Sequence, residues 1–239
     1  MKISIITVCF NAIDTIDKTI ESVINQTYSD IEYIIIDGKS TDGTVDIINK
    51  YSYINNFKYI SEKDKGIYDA MNKGINLVTG DYIYFLNSGD YFCNEYVIEK
   101  IVSEVKNDKV DIIYGNIFDV FSNYKKHISY KNIKLSPLNF IRGTSIGHQA
   151  IFANKKIFID NQFDIKYRIC ADKKWIISSY LKGYRFKYYD VDICLFDKSG
   201  VSCGDRGGEI VKNETLKILQ EAFPVRYNLV KLGRRILNG

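Results

Sequence analysis

Asn87, Ser88, Gly89 and Asp90 close the apolar run in GDYIYFLNSGDYF, residues 80–92. All four residue types favour turns, so a plain turn accounts for the composition. A chemical reading stands beside it. A nucleoside diphosphate bound without a glycine-rich phosphate loop needs positive charge, which a divalent cation on hard oxygen ligands supplies. The Asp90 carboxylate, with phosphates and waters, would complete an octahedron. Asp37 follows an apolar run in the same way and precedes Gly38. A carboxylate fixed there can accept from the N–H of a base or the hydroxyls of a ribose, or it can serve as a turn residue in DGKSTDGT.

The stretch SEKDKGIYDAMNKGI, residues 61–75, adds Lys65 and Lys73 as groups for phosphate, and Asp64, Asp69 and Asn72 as groups for a sugar hydroxyl or ribose. Such a charge run is more often a solvated helix face. His148 is one of two histidines; its alternatives are a structural role or a place in the site. Asp172 opens a helical pattern, where a carboxylate favours the helix dipole. The same carboxylate can act as a general base if a hydroxyl comes within hydrogen-bond reach.

The elements that must position these residues alternate. Ile3 to Val8, Ile31 to Ile36, Phe57 to Ile60 and Tyr82 to Leu86 read as strands. Between them, apolar residues recur at helical spacing over Ile13 to Ile24, Val45 to Tyr51 and Ile67 to Val78, and Asn11 is expected to cap the first helix. This alternation predicts βαβ units and a mostly parallel sheet with helices on its faces, and ligands in such sheets bind at the carboxyl ends of the strands. Residues 110–121, 125–133 and 184–196 read as further strands, and residues 172–181 as a helix. We expect a single α/β domain, with residues 1–110 as its nucleotide-sugar half, 111–224 as its acceptor half, and 225–239 as a basic amphipathic helix. In that last segment Val225, Leu229, Leu232 and Ile236 form a stripe interleaved with Arg226, Lys231, Arg234 and Arg235. Such a helix suits an anionic membrane surface, or the domain's own flank.

Composition narrows the class. The 239 residues are 46% hydrophobic, enough for one sizeable core, and the net charge of +4 is mild. With no basic patch interleaved with aromatics before the C-terminus, a nucleic-acid partner is not expected. Five widely spaced cysteines without a C-x-x-C pair argue against a disulfide framework or zinc ribbon and for a cytoplasmic setting. A dinucleotide-binding oxidoreductase is excluded, because TVCFNA follows the first strand where G-x-G-x-x-G would stand.

The segments spanning residues 3–44, together with DKGIYDAMNKGI, GDYIYFLNSGD, HQAIF and ADKKWIISSYLKGY in that order, resemble the bacterial family 2 glycosyltransferases of the GT-A fold. They are similar in particular to the branch that builds O-antigen, capsule and exopolysaccharide units. The resemblance implies that Thr7, Phe10 and Asn11 line the nucleotide pocket and that Asp37 contacts uracil or ribose, with Ser40 nearby and Lys65 approaching the donor. It matches the end of the fourth strand, Asn87, Ser88 and Asp90, to the D-x-D region that holds Mn2+ or Mg2+ against the diphosphate. Asp90 becomes the metal ligand, while Asn87 and Gly89 stand where the family often has Asp. Asp172 corresponds to the catalytic base, with Ala171 in place of the usual preceding Glu. His148 is placed on the acceptor or diphosphate side, and residues 196–202, FDKSGVS, resemble a lid loop. The implied activity is inverting transfer of a hexose from a UDP-sugar to a lipid-diphosphate-linked saccharide, peripherally at the inner face of the cytoplasmic membrane. A non-catalytic sugar-nucleotide-binding or scaffold subunit is the alternative, kept open by the missing carboxylates at 87 and 89.

Overall fold

The computed structural model describes residues 1–105, 108, 110–198 and 205–228. Among them nine strands, β1 (Ile3–Cys9), β2 (Ile31–Asp37), β3 (Phe57–Ser61), β4 (Tyr82–Phe85), β5 (Tyr91–Phe92), β6 (Ile112–Val120), β7 (Lys125–Ile128), β8 (Ile151–Asn154) and β9 (Phe186–Asp197), form one sheet. Its order is β3-β2-β1-β4-β8-β6-β9-β5, with β7 paired to β6. The first four strands are parallel. β8 then runs antiparallel to both neighbours, β6 and β9 pair parallel, and β5 is antiparallel to β9. The parallel half is as the βαβ pattern predicts. Every residue of β1 is buried and β2 is buried from Glu32 onward, as expected for interior strands covered on both faces.

The α-helices are α1 (Ile16–Ile24), α2 (Thr44–Asn49), α3 (Ile67–Ile75), α4 (Val97–Val105), α5 (Pro137–Ile141), α6 (Lys155–Asp160), α7 (Ala171–Leu181) and α8 (Asp205–Ala222), with residues 224–228 also helical and a 3-10 turn over His148–Ala150. Ile16, Ile20 and Val23 bury one stripe of α1 against the sheet. Asn11 does not cap that helix; Thr15 holds the cap position. Asn11 sits at φ 48°, its N–H donating to Ser40 Oγ (2.7 Å) and its Oδ1 accepting from Thr41 N–H (3.0 Å). Those bonds tie it across to the β2–α2 loop, so the helix starts a turn later. In α3, Ile67 is 42% exposed and Tyr68 takes the buried place instead.

Four helices, α4, α5, α6 and α8, were not expected from the periodicity. The amphipathic segment expected over 225–239 lies outside the described residues beyond 228, as do positions 199–202 of the expected lid loop.

Candidate active site

Parallel register sets the first half of the site. Cys9 is aligned with Asp37, and Asp37 with Ser61, so three strand ends lie side by side. Asp37 has no exposed surface. Its Oδ1 accepts from the Ser40 hydroxyl and the Cys9 thiol, and its Oδ2 from Ser40 N–H (2.9 Å) and the Ser61 hydroxyl (2.6 Å). Four donors fill the carboxylate's accepting capacity. Asp37 and Ser40 therefore organise the loop after β2, and a nucleotide reaching Asp37 would have to displace one of these donors. Burial first, then Asp37, pushes the Cys9 thiol far above the ordinary range, so it stays protonated.

Thr7 does not line a pocket. It is fully buried, its hydroxyl donating to Leu86 O (2.6 Å) and meeting the Tyr33 hydroxyl at 3.0 Å. Phe10, by contrast, is 63% exposed at the end of β1. Beside it lies Asp64: a Cβ added to Gly38 would come within 2.6 Å of Asp64 Oδ2 and 3.3 Å of the Phe10 ring. Any larger residue at 38 would push one of them aside, and with glycine there an aromatic face and a carboxylate lie together at the sheet edge.

The helix after β3 contributes less than its composition suggests. Asp69 accepts from the Lys65 backbone N–H (2.9 Å) and pairs with Lys73 (3.8 Å), which closes the N-terminus of α3. Asn72 binds both backbone groups of Phe163, donating to its O (2.8 Å) and accepting from its N–H (3.0 Å). Asp69 and Asn72 are thus structural clasps; the Lys65 side chain is exposed.

The end of β4 is more than a turn. Gly89 adopts φ 97°, a conformation that L side chains rarely take, and its N–H donates to Thr19 Oγ1 (3.0 Å). Ser88 Oγ lies 2.9 Å from Thr15 Oγ1. Asp90 is 3% exposed and accepts from Asp197 N–H (2.9 Å). Burial pushes its carboxyl up to about 7, against the lowering pull of that N–H, with the Asp197 charge adding to the rise.

Asn87 connects this turn to the acceptor half. Its Nδ2 lies 3.1 Å from His148 Nε2, and His148 Nδ1 lies 2.9 Å from Asp172 Oδ2. With the amide donating, Nε2 accepts and Nδ1 carries the proton given to Asp172. Asp172 Oδ1 accepts from Lys173 N–H (2.7 Å) and lies 3.1 Å from the Tyr68 hydroxyl, which also donates to Ile169 O (2.6 Å). Burial alone would raise the Asp172 carboxyl, but the hydrogen bond from His148, with those from Lys173 N–H and Tyr68, outweighs it and holds it below the ordinary range. An ionised carboxylate therefore stands behind His148, and Tyr68 joins the site as a member that sequence reasoning did not single out.

For a divalent cation the chain offers the Asp90 carboxylate and Asn87 Oδ1, a buried oxygen with no hydrogen-bond partner. Among the described residues no group of three or more His, Cys, Asp and Glu side chains could hold a metal. This donor set fits a cation brought in with substrate phosphates, as Mg2+ is commonly bound, and not an ion held by protein alone. Beside Gly89 opens a cleft of about 570 Å³, lined among others by Asp14, Lys18, Tyr91, Phe121, Asp197 and Lys198.

Known proteins share this sequence pattern and fold. The glycosyl transferase family 2 model matches residues 4–191. A PGL/p-HBAD biosynthesis glycosyltransferase of Mycobacterium bovis is 30% identical over 173 residues, covering 71% of this chain and 66% of that protein. The Escherichia coli UDP-Glc:alpha-D-GlcNAc-diphosphoundecaprenol beta-1,3-glucosyltransferase WfaP is 38% identical over 153 residues, 56% of this chain and 58% of its own length. This chain thus spans 66% and 58% of the lengths of these two relatives. S. aureus TarS, residues 1–349 in complex with UDP, superposes with a TM-score of 0.74 at 18% identity, over 93% of this chain and 65% of that one. The Pyrobaculum calidifontis mannosyltransferase PcManGT, solved with GDP-Man and Mn2+, gives a TM-score of 0.66 at 16% identity, over 95% and 64%. The fold is that of the GT-A glycosyltransferases, and with its family match extending from β1 into β9 the chain belongs to glycosyl transferase family 2.

Proposed function

We propose that this chain is an inverting glycosyltransferase that moves a hexose from a UDP-sugar to a hydroxyl of a saccharide acceptor, carried on a lipid diphosphate, in building a surface polysaccharide. The observation that carries the reading is the hydrogen-bonded series Asn87–His148–Asp172. It joins the turn after β4, the natural place for a nucleotide's phosphates, to an ionised carboxylate on a separate helix. Phe10 and Asp64 offer the nucleotide base or ribose a face and an acceptor. The cleft beside Gly89, with aromatic and charged walls, suits a saccharide.

In the reaction Asp172 takes the acceptor hydroxyl's proton as its oxygen attacks the anomeric carbon. The bond from that carbon to UDP breaks, and UDP leaves with the electron pair. Oδ1 of Asp172 is engaged twice, whereas Oδ2 keeps one lone pair beyond its bond to His148. Mn2+ or Mg2+, when bound at Asp90 and Asn87 with the diphosphate, would stabilise charge on the leaving group. The UDP donor is supported by the names of WfaP and of the TarS complex, and the lipid-linked acceptor by that of WfaP.

No helix of the described residues is long and apolar enough to cross a membrane. We place the protein peripherally, at the inner face of the cytoplasmic membrane, through its basic C-terminal segment. Deleting residues 225–239 is expected to abolish sedimentation with anionic liposomes, and unchanged binding contradicts that placement. The transfer reading is tested by UDP release from a panel of UDP-sugars with Mn2+, Mg2+ or EDTA. Release from one donor, lost in EDTA and in Asp90→Ala, supports it. UDP binding without release from any donor, with or without a lipid-linked acceptor, favours the non-catalytic binding subunit.

A further inference from the structure

The loop that leads into α7 is held by an unusual clasp from outside its own segment. Glu214 of α8 accepts three successive backbone N–H groups: Arg168 N to Oε1 at 2.6 Å, and Ile169 N and Cys170 N to Oε2 at 3.0 and 2.9 Å. Cys170 is the N-cap residue of α7, and no side chain caps that helix locally. A carboxylate on three N–H groups at a helix start combines charge-assisted hydrogen bonds with a favourable dipole.

What the clasp holds is the backbone on which the site depends. Asp172 is the second residue of α7, two positions beyond the last clasped N–H. The Ile169 peptide is gripped on both sides, its N–H by Glu214 and its carbonyl by the Tyr68 hydroxyl, which also reaches Asp172 Oδ1. Movement of that peptide therefore displaces Tyr68 and Asp172 together, and with them the 2.9 Å contact to His148.

We infer that Glu214 is the positioning residue for Asp172, setting its alignment with His148 from α8. The inference rests on the transfer reading for its kinetic consequence but not for its geometric one. α8 makes other contacts with the same region, which provide a control: Glu221 accepts from Tyr167 OH (2.8 Å) and pairs with Lys174 (3.4 Å) without touching the clasped N–H groups.

The test compares Glu214→Gln, Glu214→Ala and Glu221→Gln in the full chain. With only two histidines, His127 and His148, 15N-histidine NMR reads the His148 ring directly. The expected result is a His148 shift that moves in both Glu214 variants, more in Ala than in Gln, while His127 stays in place. Kcat should fall between about 10-fold and 100-fold at unchanged donor KM, the scale of a small misplacement of a reacting group, and Glu221→Gln should match the wild type. An unmoved His148 signal with kcat within about twofold of wild type overturns the inference. So does an equal loss in Glu221→Gln, which would make the effect one of helix docking. If the wild type turns over no donor, the transfer reading fails, and the NMR comparison still decides the positioning.

Discussion

Asp90 titrates where few carboxylates do, and that makes a sharp prediction about stability. Burial raises it from 3.8 to about 7. Between those values the folded chain holds a proton that the unfolded chain has released, so folding stability falls as pH rises through this window. At about 1.4 kcal/mol per unit, the full shift corresponds to about 4 kcal/mol above pH 8, and about 2.5 kcal/mol of it develops between pH 5 and 8. Asp90→Asn keeps an oxygen for the Asp197 N–H and cannot ionise. Denaturant unfolding in EDTA, at half-unit steps from pH 5 to 8, should show the wild type losing about 2.5 kcal/mol more than the variant over that range. The comparison of slopes cancels any fixed cost of the substitution. Parallel slopes for the two proteins would refute the claim that Asp90 is buried at a proton's expense, and with it the idea that it awaits a cation's charge.

Other expectations follow from individual contacts. Asp172→Asn should lower turnover by about 10²- to 10⁴-fold, the usual weight of a general base, with UDP affinity unchanged in calorimetry; equal loss of binding would place Asp172 on the donor. His148→Asn removes the main partner that lowers the Asp172 carboxyl, so the acid limb of the kcat profile should move to higher pH; a limb that does not move contradicts Asp172 as the titrating base. Asn72→Ala breaks the paired bonds to Phe163 and should cost about 1–3 kcal/mol in unfolding measurements while leaving UDP affinity intact. A change in affinity without loss of stability would restore Asn72 to the ligand site.

The parallel half of the sheet and its polar strand ends were legible because apolar runs, turn residues and helical spacing agree there. Asp37, Asp90 and Asp172 stood out for the same reason, as polar side chains at element ends, and His148 as one of two histidines. Their pairings were not legible. His148 and Asp172 come from separate elements, and no local pattern sets the distance between them. Thr7 was misassigned because a strand buried on both faces carries no alternation to show which side chains point inward. Asn72 shares a polar helical face with Asp69, and only the tertiary course of residues 161–166 turns its amide to the backbone of Phe163. α8 escaped because Gly207 and Gly208 stand in its first turn and, among its described side chains, the buried ones are few: Ile218 and Leu219, with Phe223 just beyond the helix. The Glu214 clasp became visible only with that helix in place.

The central claim, single-displacement transfer with Asp172 as base, is tested most directly by the anomeric configuration of the product. An active UDP-sugar and a saccharide–diphosphate–lipid acceptor would be incubated with the wild type and with Asp172→Asn, and the anomeric coupling read by proton NMR. The account predicts a β-linked product from an α-linked donor, formed by the wild type and almost absent from the variant. An α-linked product, or equal rates from both proteins, would contradict it.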